Sequence, residues 1–177
     1  GLDGKTVWEE QLRAYVLMNI EPEFDCSNPS AAQLALQRAG FVVAINSFNC
    51  NSLHEYADVL LPLAAFAETS GTFVGLDHHW PSFTGAVAPP GESRPGWKIL
   101  RVLGNISKFN GFDYVSSEGV RQELQDQLNR HSPVKNSLYI PAEISQSDGL
   151  QLISEVPIYR TDSLVRHSKA LQLTPEN

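Results

Sequence analysis

The chain has 177 residues, of which 42% are hydrophobic and 19% are charged, and its formal net charge is -7. This composition is typical of a folded domain and not of a disordered segment, because it supplies enough apolar surface for a core. The negative charge opposes binding to nucleic acid or to an anionic membrane surface, and no apolar run approaches the roughly 20 residues that cross a bilayer.

The first residues contain no starting methionine, basic region or apolar stretch, so we expect no secretion signal and interpret the chain as a fragment. Its two cysteines, Cys26 and Cys50, are too few for a disulfide framework in a chain of this length. We therefore expect reduced thiols and a cytoplasmic setting.

Three short apolar runs in the first part of the chain predict buried strands. They lie at residues 15–20, 41–45 and 59–61, and Pro62 stops the last one because proline has no N–H group to donate to a ladder. Alternation of these strands with helices over short connections predicts right-handed crossovers and a three-stranded parallel sheet.

Helices are predicted on either side of these strands. One ends over Trp8–Arg13, and a short one covers residues 51–56. Between them, Asn28 caps a helix that has Pro29 in its first position and that Gly40 ends in a left-handed conformation. We expect such a sheet to pack against further helices and strands that precede the chain.

The segment after the third strand is predicted to leave the sheet. Residues 69–72 are predicted to form a turn in which Gly71 permits a positive φ, and residues 78–95 a long ordered excursion without periodicity. A helix follows at residues 97–103.

The last part of the chain is predicted to be an arm. Ser116 or Ser117 caps a surface helix in which Val120, Leu124 and Leu128 recur every four residues. A linker at residues 133–148 and an edge strand at 156–159 complete it. The predicted fold class is α/β: a small three-stranded parallel sheet flanked by helices, half of a doubly wound domain, with a C-terminal wrapping arm. The predicted domain limits are 1–104 for the α/β segment and 105–177 for the arm.

In a parallel sheet, ligands bind beyond the carboxyl ends of the strands, so the residues that follow each strand decide whether a site exists. These residues are acidic or amidic: Glu21, Glu23 and Asp25, then Asn46, Ser47 and Asn49, and finally Glu68. A pyrophosphate requires a glycine-rich turn, helix N–H groups or a nearby cation. We therefore predict no nucleotide binding at this edge, and interpret the carboxylates as a solvated loop or as contacts to a partner's basic groups.

Other chemical sites are weaker candidates. Five residues could be ligands of a zinc site: Cys26, Cys50, His54, His78 and His79. No C-x-x-C or H-x-x-x-H pair is present among them, so buried thiols and surface histidines are the favoured interpretation. Two cysteines cannot hold an iron-sulfur cluster alone. Glu21 and Glu23 would face apart in an extended loop, and no G-x-S-x-G elbow indicates a hydrolase. Arg94 could bind a carboxylate on another subunit, although an internal salt bridge that pins its loop is the favoured interpretation.

Three runs of residues carry a family resemblance. Ala-Asp-Val-Leu-Leu-Pro at 57–62, Glu-Thr-Ser-Gly-Thr-Phe at 68–73 and Pro-Gly-Glu-Ser-Arg-Pro-Gly-Trp-Lys at 90–98 resemble the molybdopterin-oxidoreductase superfamily. Within it, these runs and the tail at 156–166 are similar to the C-terminal part of the large iron-sulfur subunit of bacterial NADH-quinone oxidoreductase, respiratory complex I.

The resemblance implies a structural segment that contacts other subunits in the peripheral arm of a complex passing electrons from NADH through iron-sulfur clusters to quinone. It implies clusters in the upstream part of the same subunit, no catalytic, cofactor-binding or metal-binding residue in this segment, and a location at the cytoplasmic face of the bacterial inner membrane. The alternative is a pterin- or nucleotide-binding domain of a molybdopterin-dependent oxidoreductase. Residues 74–80, Val-Gly-Leu-Asp-His-His-Trp, depart from the Asn-Thr-Glu-Gly-Arg-like run of pterin-binding members.

Overall fold

The structure is a computed structural model that describes residues 2–77, 79–130, 150 and 157–174. The chain divides into two compact units, Gly1–Ser132 and Pro133–Asn177. The predicted domain limits of 1–104 and 105–177 stay a prediction. Within the described residues, no helix combines the length and the apolar character that spanning a bilayer requires.

The first unit is built on a parallel sheet of three strands in the order β1-β2-β3: Ala14–Met18 (β1), Phe41–Asn46 (β2) and Val59–Pro62 (β3). Val16 lies opposite Val43, which in turn lies opposite Val59. The predicted α/β fold with a small parallel sheet flanked by helices is confirmed. β1 is shorter than predicted because Asn19 turns the chain with a φ of 50°.

Four helices lie before and between these strands: Thr6–Glu9 (α1), Pro22–Asp25 (α2), Pro29–Arg38 (α3) and Leu53–Tyr56 (α4). α3 begins as predicted, since the Asn28 side chain accepts a hydrogen bond from the Ala31 N–H at 3.1 Å and Pro29 is the first helical residue. The prediction of a helix over Trp8–Arg13 is wrong beyond Glu9, and α2 lies in a stretch predicted to be loop.

The core lies between one face of the sheet and α3. Tyr15 and Leu17 of β1, Val42 of β2 and Leu36 of α3 form a buried cluster. Leu36 is 1% exposed, whereas Leu34 on the same helix is 46% exposed, so α3 packs by one stripe of its surface. The other face of the sheet is partly open, with Val16 61% and Phe41 48% exposed.

Two glycines do not have the conformation predicted for them, because neither has a positive φ. A Cβ atom on Gly40 would lie 3.2 Å from the Arg13 carbonyl oxygen, and one on Gly71 would lie 2.8 Å from the Phe83 ring. At both positions glycine therefore provides space for a close neighbour and not an unusual backbone conformation.

After β3 the chain forms a 3₁₀ turn at Phe66–Glu68 and a small antiparallel hairpin of Gly71–Thr72 (β4) and Ser82–Phe83 (β5). This hairpin lies partly in the stretch predicted to lack regular structure. Gly96–Ile106 (α5) and Ser117–Arg130 (α6) follow, close to the predicted helices. The Gly119 N–H donates to the Ser116 hydroxyl at 3.3 Å, which supports Ser116 as the cap.

The second unit is described over residues 157–174 and contains Ile158–Thr161 (α7), a 3₁₀ turn at Val165–His167 and Lys169–Gln172 (α8). The predicted strand at 156–159 is wrong, because residues 158 and 159 begin α7 and Pro157 precedes that helix. Residue 156 and the predicted linker at 133–148 lie outside the described residues.

Candidate ligand-binding crevice at the carboxyl edge of the sheet

The carboxyl ends of the three strands open into a cavity of about 460 Å³, here called the crevice. Met18 lines it at the last position of β1, Asn19 follows that strand, Ser47 follows β2, and Leu63 and Ala64 follow β3. Residues at this edge come from different strands yet meet in space, since parallel strands end on the same side of a sheet. The crevice thus lies where the topology predicts a site.

Asn19 and Ser47 connect the ends of β1 and β2. The Asn19 N–H donates to the Ile45 carbonyl at 2.8 Å, and the Ser47 hydroxyl donates to the Asn19 side-chain oxygen at 3.3 Å. Asparagine tolerates the left-handed conformation seen at Asn19, which is the sequence signal that could have identified this residue. The two polar side chains form the floor of the crevice.

Phe66, Phe73 and Phe83 form an aromatic wall on one side of the crevice. Their ring centroids are 4.6 Å apart for Phe66 and Phe83, 5.3 Å for Phe73 and Phe83, and 6.0 Å for Phe66 and Phe73. Phe66 and Phe73 remain 54% and 56% exposed. A wall of partly exposed rings offers stacking area to a planar ligand.

Helices α5 and α6 supply the remaining walls, through Trp97 and through Val120, Arg121 and Leu124. Arg121 donates to the Ser82 hydroxyl of β5 at 2.8 Å. Among the described residues that line the crevice, Arg121 is the only charged one. Sequence reasoning did not assign α6 to the site, because nothing local shows where a surface helix docks.

A second cavity, of about 250 Å³, lies beside the crevice and shares Ser47 with it. Asn46 lines this cavity and is 8% exposed. Its side-chain oxygen accepts the Ser47 N–H at 2.9 Å, but its Nδ2 amide group is buried without a hydrogen-bond partner in the described part of the chain. A buried donor left in this state costs free energy, so the amide is poised to bind an acceptor.

None of the four carboxylates predicted at this edge lines either cavity: Glu21, Glu23, Asp25 and Glu68. Glu21 is 3% exposed, Glu23 accepts a hydrogen bond from the Ser52 hydroxyl, and the Asp25 carboxylate accepts the Glu21 N–H at 2.7 Å. The interpretation of Glu21 as part of a solvated loop is therefore wrong, because Glu21 is buried and the segment that follows it forms α2, which packs against α3.

Tyr56 lies within the same buried polar region. Its hydroxyl has no hydrogen-bond partner among the described residues. Burial, followed by the neighbouring Glu23 carboxylate, raises the pKa of Tyr56 well above its usual value. Burial also raises the pKa of Cys26, with Asp25 as the next cause, so that this thiol stays protonated at neutral pH and is a poor nucleophile.

The other residues singled out from the sequence lie apart from the crevice or have structural contacts. The His54 ring is 2.6 Å from the Asn49 side-chain oxygen, and His78, another of the five zinc candidates, lies outside the described residues. Arg94 donates to the carbonyl oxygens of Gly91 and Ser93 at 3.2 and 2.8 Å. It therefore holds its loop as expected, but through carbonyl oxygens, and no ion pair of Arg94 with a carboxylate is found in the described part of the chain.

A three-stranded parallel sheet flanked by helices, with a crevice at its carboxyl edge, defines an α/β domain of the class in which ligands bind at that edge. The model of the family described as Molybdopterin oxidoreductase matches residues 3–106, which is more than half of the chain. The chain belongs to this family.

Curated relatives agree with the family. The chain is 27% identical over 128 residues to a nitrate reductase of Synechocystis sp., covering 68% of this chain and 18% of the relative. It is 29% identical over 116 residues to the assimilatory nitrate reductase catalytic subunit of Bacillus subtilis, covering 65% and 16%. A Staphylococcus aureus protein assigned as a formate dehydrogenase is 30% identical over 108 residues, covering 61% and 10%.

The chain thus spans between a tenth and a fifth of the length of these relatives. They support the superfamily part of the resemblance, and they do not support its finer assignment to the large iron-sulfur subunit of NADH-quinone oxidoreductase. They favour the alternative, a domain of a molybdopterin-dependent oxidoreductase.

Proposed function

We propose that the chain is a cofactor-facing segment of a larger molybdopterin-dependent oxidoreductase, and that its crevice and second cavity bind the nucleotide part of a pterin cofactor. The observation that carries this proposal is the buried Asn46 amide, whose Nδ2 group has no partner among the described residues. The relatives support the class of enzyme, since they are nitrate reductases and a protein assigned as a formate dehydrogenase.

The residues at this edge fit the chemistry of a nucleotide. The Asn46 amide is a donor that matches a ring carbonyl of a base, and the second cavity around it has apolar walls from Leu53, Leu60 and Leu61. Its volume of about 250 Å³ is below the roughly 300 to 1,000 Å³ of pockets that hold drug-sized ligands, so it suits a smaller group such as one ring system. The second cavity therefore suits the base of the nucleotide.

The crevice supplies the polar and aromatic groups that the rest of the ligand requires. Hydroxyl and amide groups of Asn19, Ser47, Thr69 and Thr72 line it and can donate to sugar or phosphate oxygens. The aromatic wall offers flat apolar surface beside them. When bound, the cofactor would supply the redox chemistry of the whole enzyme, while this chain's residues bind and orient it.

The test is a titration of the chain with GDP, followed by the fluorescence of Trp80 and Trp97, which both line the crevice, and by calorimetry. We expect saturable binding that Asn46→Ala weakens about tenfold, the loss of one buried hydrogen bond to a ligand. Asn105→Ala, at an exposed position of α5, is the matched control and should leave binding unchanged. Absence of saturable binding by the wild-type chain would refute the proposal.

A second candidate is the structural role implied by the resemblance to NADH-quinone oxidoreductase, in which the segment contacts other subunits and binds no cofactor. One observation favours it: the single charged residue among the described crevice residues, Arg121, already hydrogen-bonds Ser82, so a pyrophosphate would find little positive charge. The net charge of -7 acts in the same direction. The same titration separates the two candidates, because a structural segment should show no binding of GDP.

A further inference from the structure

Helix α6 forms the outer wall of the crevice, yet it lies beyond the family match, which ends at residue 106. Val120, Arg121 and Leu124 of this helix line the crevice. The family match therefore does not cover the residues of α6 that line the crevice.

α6 is held lightly. Residues 117–128 are exposed or half-buried and none is buried, and Leu124 and Leu128 are 46% and 53% exposed. The hydrogen bonds from Gln122 to Asp126 and from Gln127 to Glu123 stay within the helix and do not attach it to the sheet. A helix with so little buried surface belongs to the low-stability end of a domain and opens more readily than the core.

One contact that joins α6 to the hairpin is polar. Arg121 donates to the Ser82 hydroxyl at 2.8 Å, and that hydroxyl is 2.9 Å from the Thr72 hydroxyl on β4. A guanidinium group has five N–H donors and this hydrogen bond uses one. An anionic group in the crevice can therefore compete for Arg121, because charge-assisted hydrogen bonds are stronger than those to a neutral hydroxyl.

The connection between α5 and α6 can act as a hinge. Lys108 and Gly111 both have left-handed φ angles, of 59° and 88°, so two turns separate the helices. A Cβ atom on Gly111 would meet nothing within 4 Å, which places this turn in open space. Turns between two helices are places where one helix can move relative to the other.

We propose that α6 is a lid on the crevice, held in place by the hydrogen bond from Arg121 to Ser82. When a ligand enters, Arg121 leaves Ser82 and binds an anionic group of the ligand. Because Arg121 binds this anionic group, the site prefers ligands that carry a phosphate or another anion. The preference for an anion rests on the proposed nucleotide binding, whereas the lid motion does not.

The lid motion is tested without ligand, by hydrogen exchange of the full chain followed by mass spectrometry. We expect amides of residues 117–128 to exchange far faster than those of β2, and Arg121→Gln to speed α6 exchange roughly fivefold, the effect of one lost hydrogen bond. The control Arg38→Gln, at an exposed position of α3, should not change α6 exchange. Protection of α6 equal to that of β2, or no response to Arg121→Gln, would overturn the lid.

The preference for an anion is tested by comparing GDP with guanosine. Arg121→Gln should weaken GDP binding about tenfold and leave guanosine binding unchanged, since only GDP carries phosphate. Equal losses for both ligands would overturn Arg121 as the anion contact. If the wild-type chain binds neither ligand, the proposed function fails, and the exchange experiment alone decides whether α6 is a lid.

Discussion

Replacement of Leu36 by alanine tests whether the core lies where the structure has it. Leu36 is 1% exposed and packs with Tyr15, Leu17 and Val42, so its truncation leaves a cavity between α3 and the sheet. Leucine-to-alanine changes at such positions cost about 2 to 5 kcal/mol of the free energy of unfolding. Leu34→Ala makes the same chemical change on the same helix at a side chain that is 46% exposed, and should cost less than about 1 kcal/mol.

The assay is urea unfolding of both variants and the wild type, followed by circular dichroism and tryptophan fluorescence. Since both variants share the change in helix propensity, the difference between them measures packing alone. With slopes of about 1 to 3 kcal/mol per molar urea, Leu36→Ala should unfold at a midpoint about 1 to 2 M below that of Leu34→Ala.

Equal midpoints for the two variants would refute the placement of α3 on the sheet. If Leu36→Ala does not fold, Leu36→Met supplies the measurement, because this change nearly conserves volume and should cost less than about 1.5 kcal/mol. Failure of Leu36→Met to fold would also contradict the packing of α3 on the sheet.

Three further changes test separate features. Gly71→Ala should destabilise the hairpin by about 1 to 3 kcal/mol, because the added Cβ would lie 2.8 Å from the Phe83 ring. Gly4→Ala is the control, since its Cβ would meet nothing within 4 Å, and it should have no such effect in thermal melts. Asn28→Ala should lower the free energy of unfolding by about 1 kcal/mol, measured in urea, because the Ala31 N–H loses its cap; an unchanged midpoint would contradict the cap. Tyr56 has a raised pKa, so the native chain keeps a proton that the unfolded chain loses above the usual value of 10.0, and stability should fall as pH rises past that value. The loss of stability is measured as the difference between urea melts at about pH 9 and pH 11, and Tyr56→Phe should make this difference smaller. An identical difference in both proteins would count against the buried hydroxyl.

The fold could be predicted where local signals and long-range packing agree. The start of α3 followed from Asn28 and Pro29, whose side chains determine the first turn by themselves. The sheet followed from apolar runs that are covered on at least one face. Short elements such as α2 and the β4–β5 hairpin have too few residues for a periodic pattern, so the sequence does not distinguish them from loops.

Topology predicted the edge of the sheet at which the crevice lies, but not which residues line it. Of the polar residues predicted at that edge, Ser47 lines the crevice, whereas Asn19 lay in a stretch predicted to be strand. The direction of the Glu21 side chain depends on α2, and the position of Arg121 depends on how α6 docks, so neither follows from sequence neighbours. Gly71 shows the same limit, since its requirement for space comes from Phe83 on another strand.

The face of the sheet turned away from α3 has a practical consequence. Val16 and Phe41 project from neighbouring strands on that face and are 61% and 48% exposed, so an apolar plane meets water. Planes of this kind adhere to one another when the protein is concentrated. Preparations of the 177-residue chain should therefore scatter light increasingly with concentration, and a charged residue in place of Val16 should keep them clear.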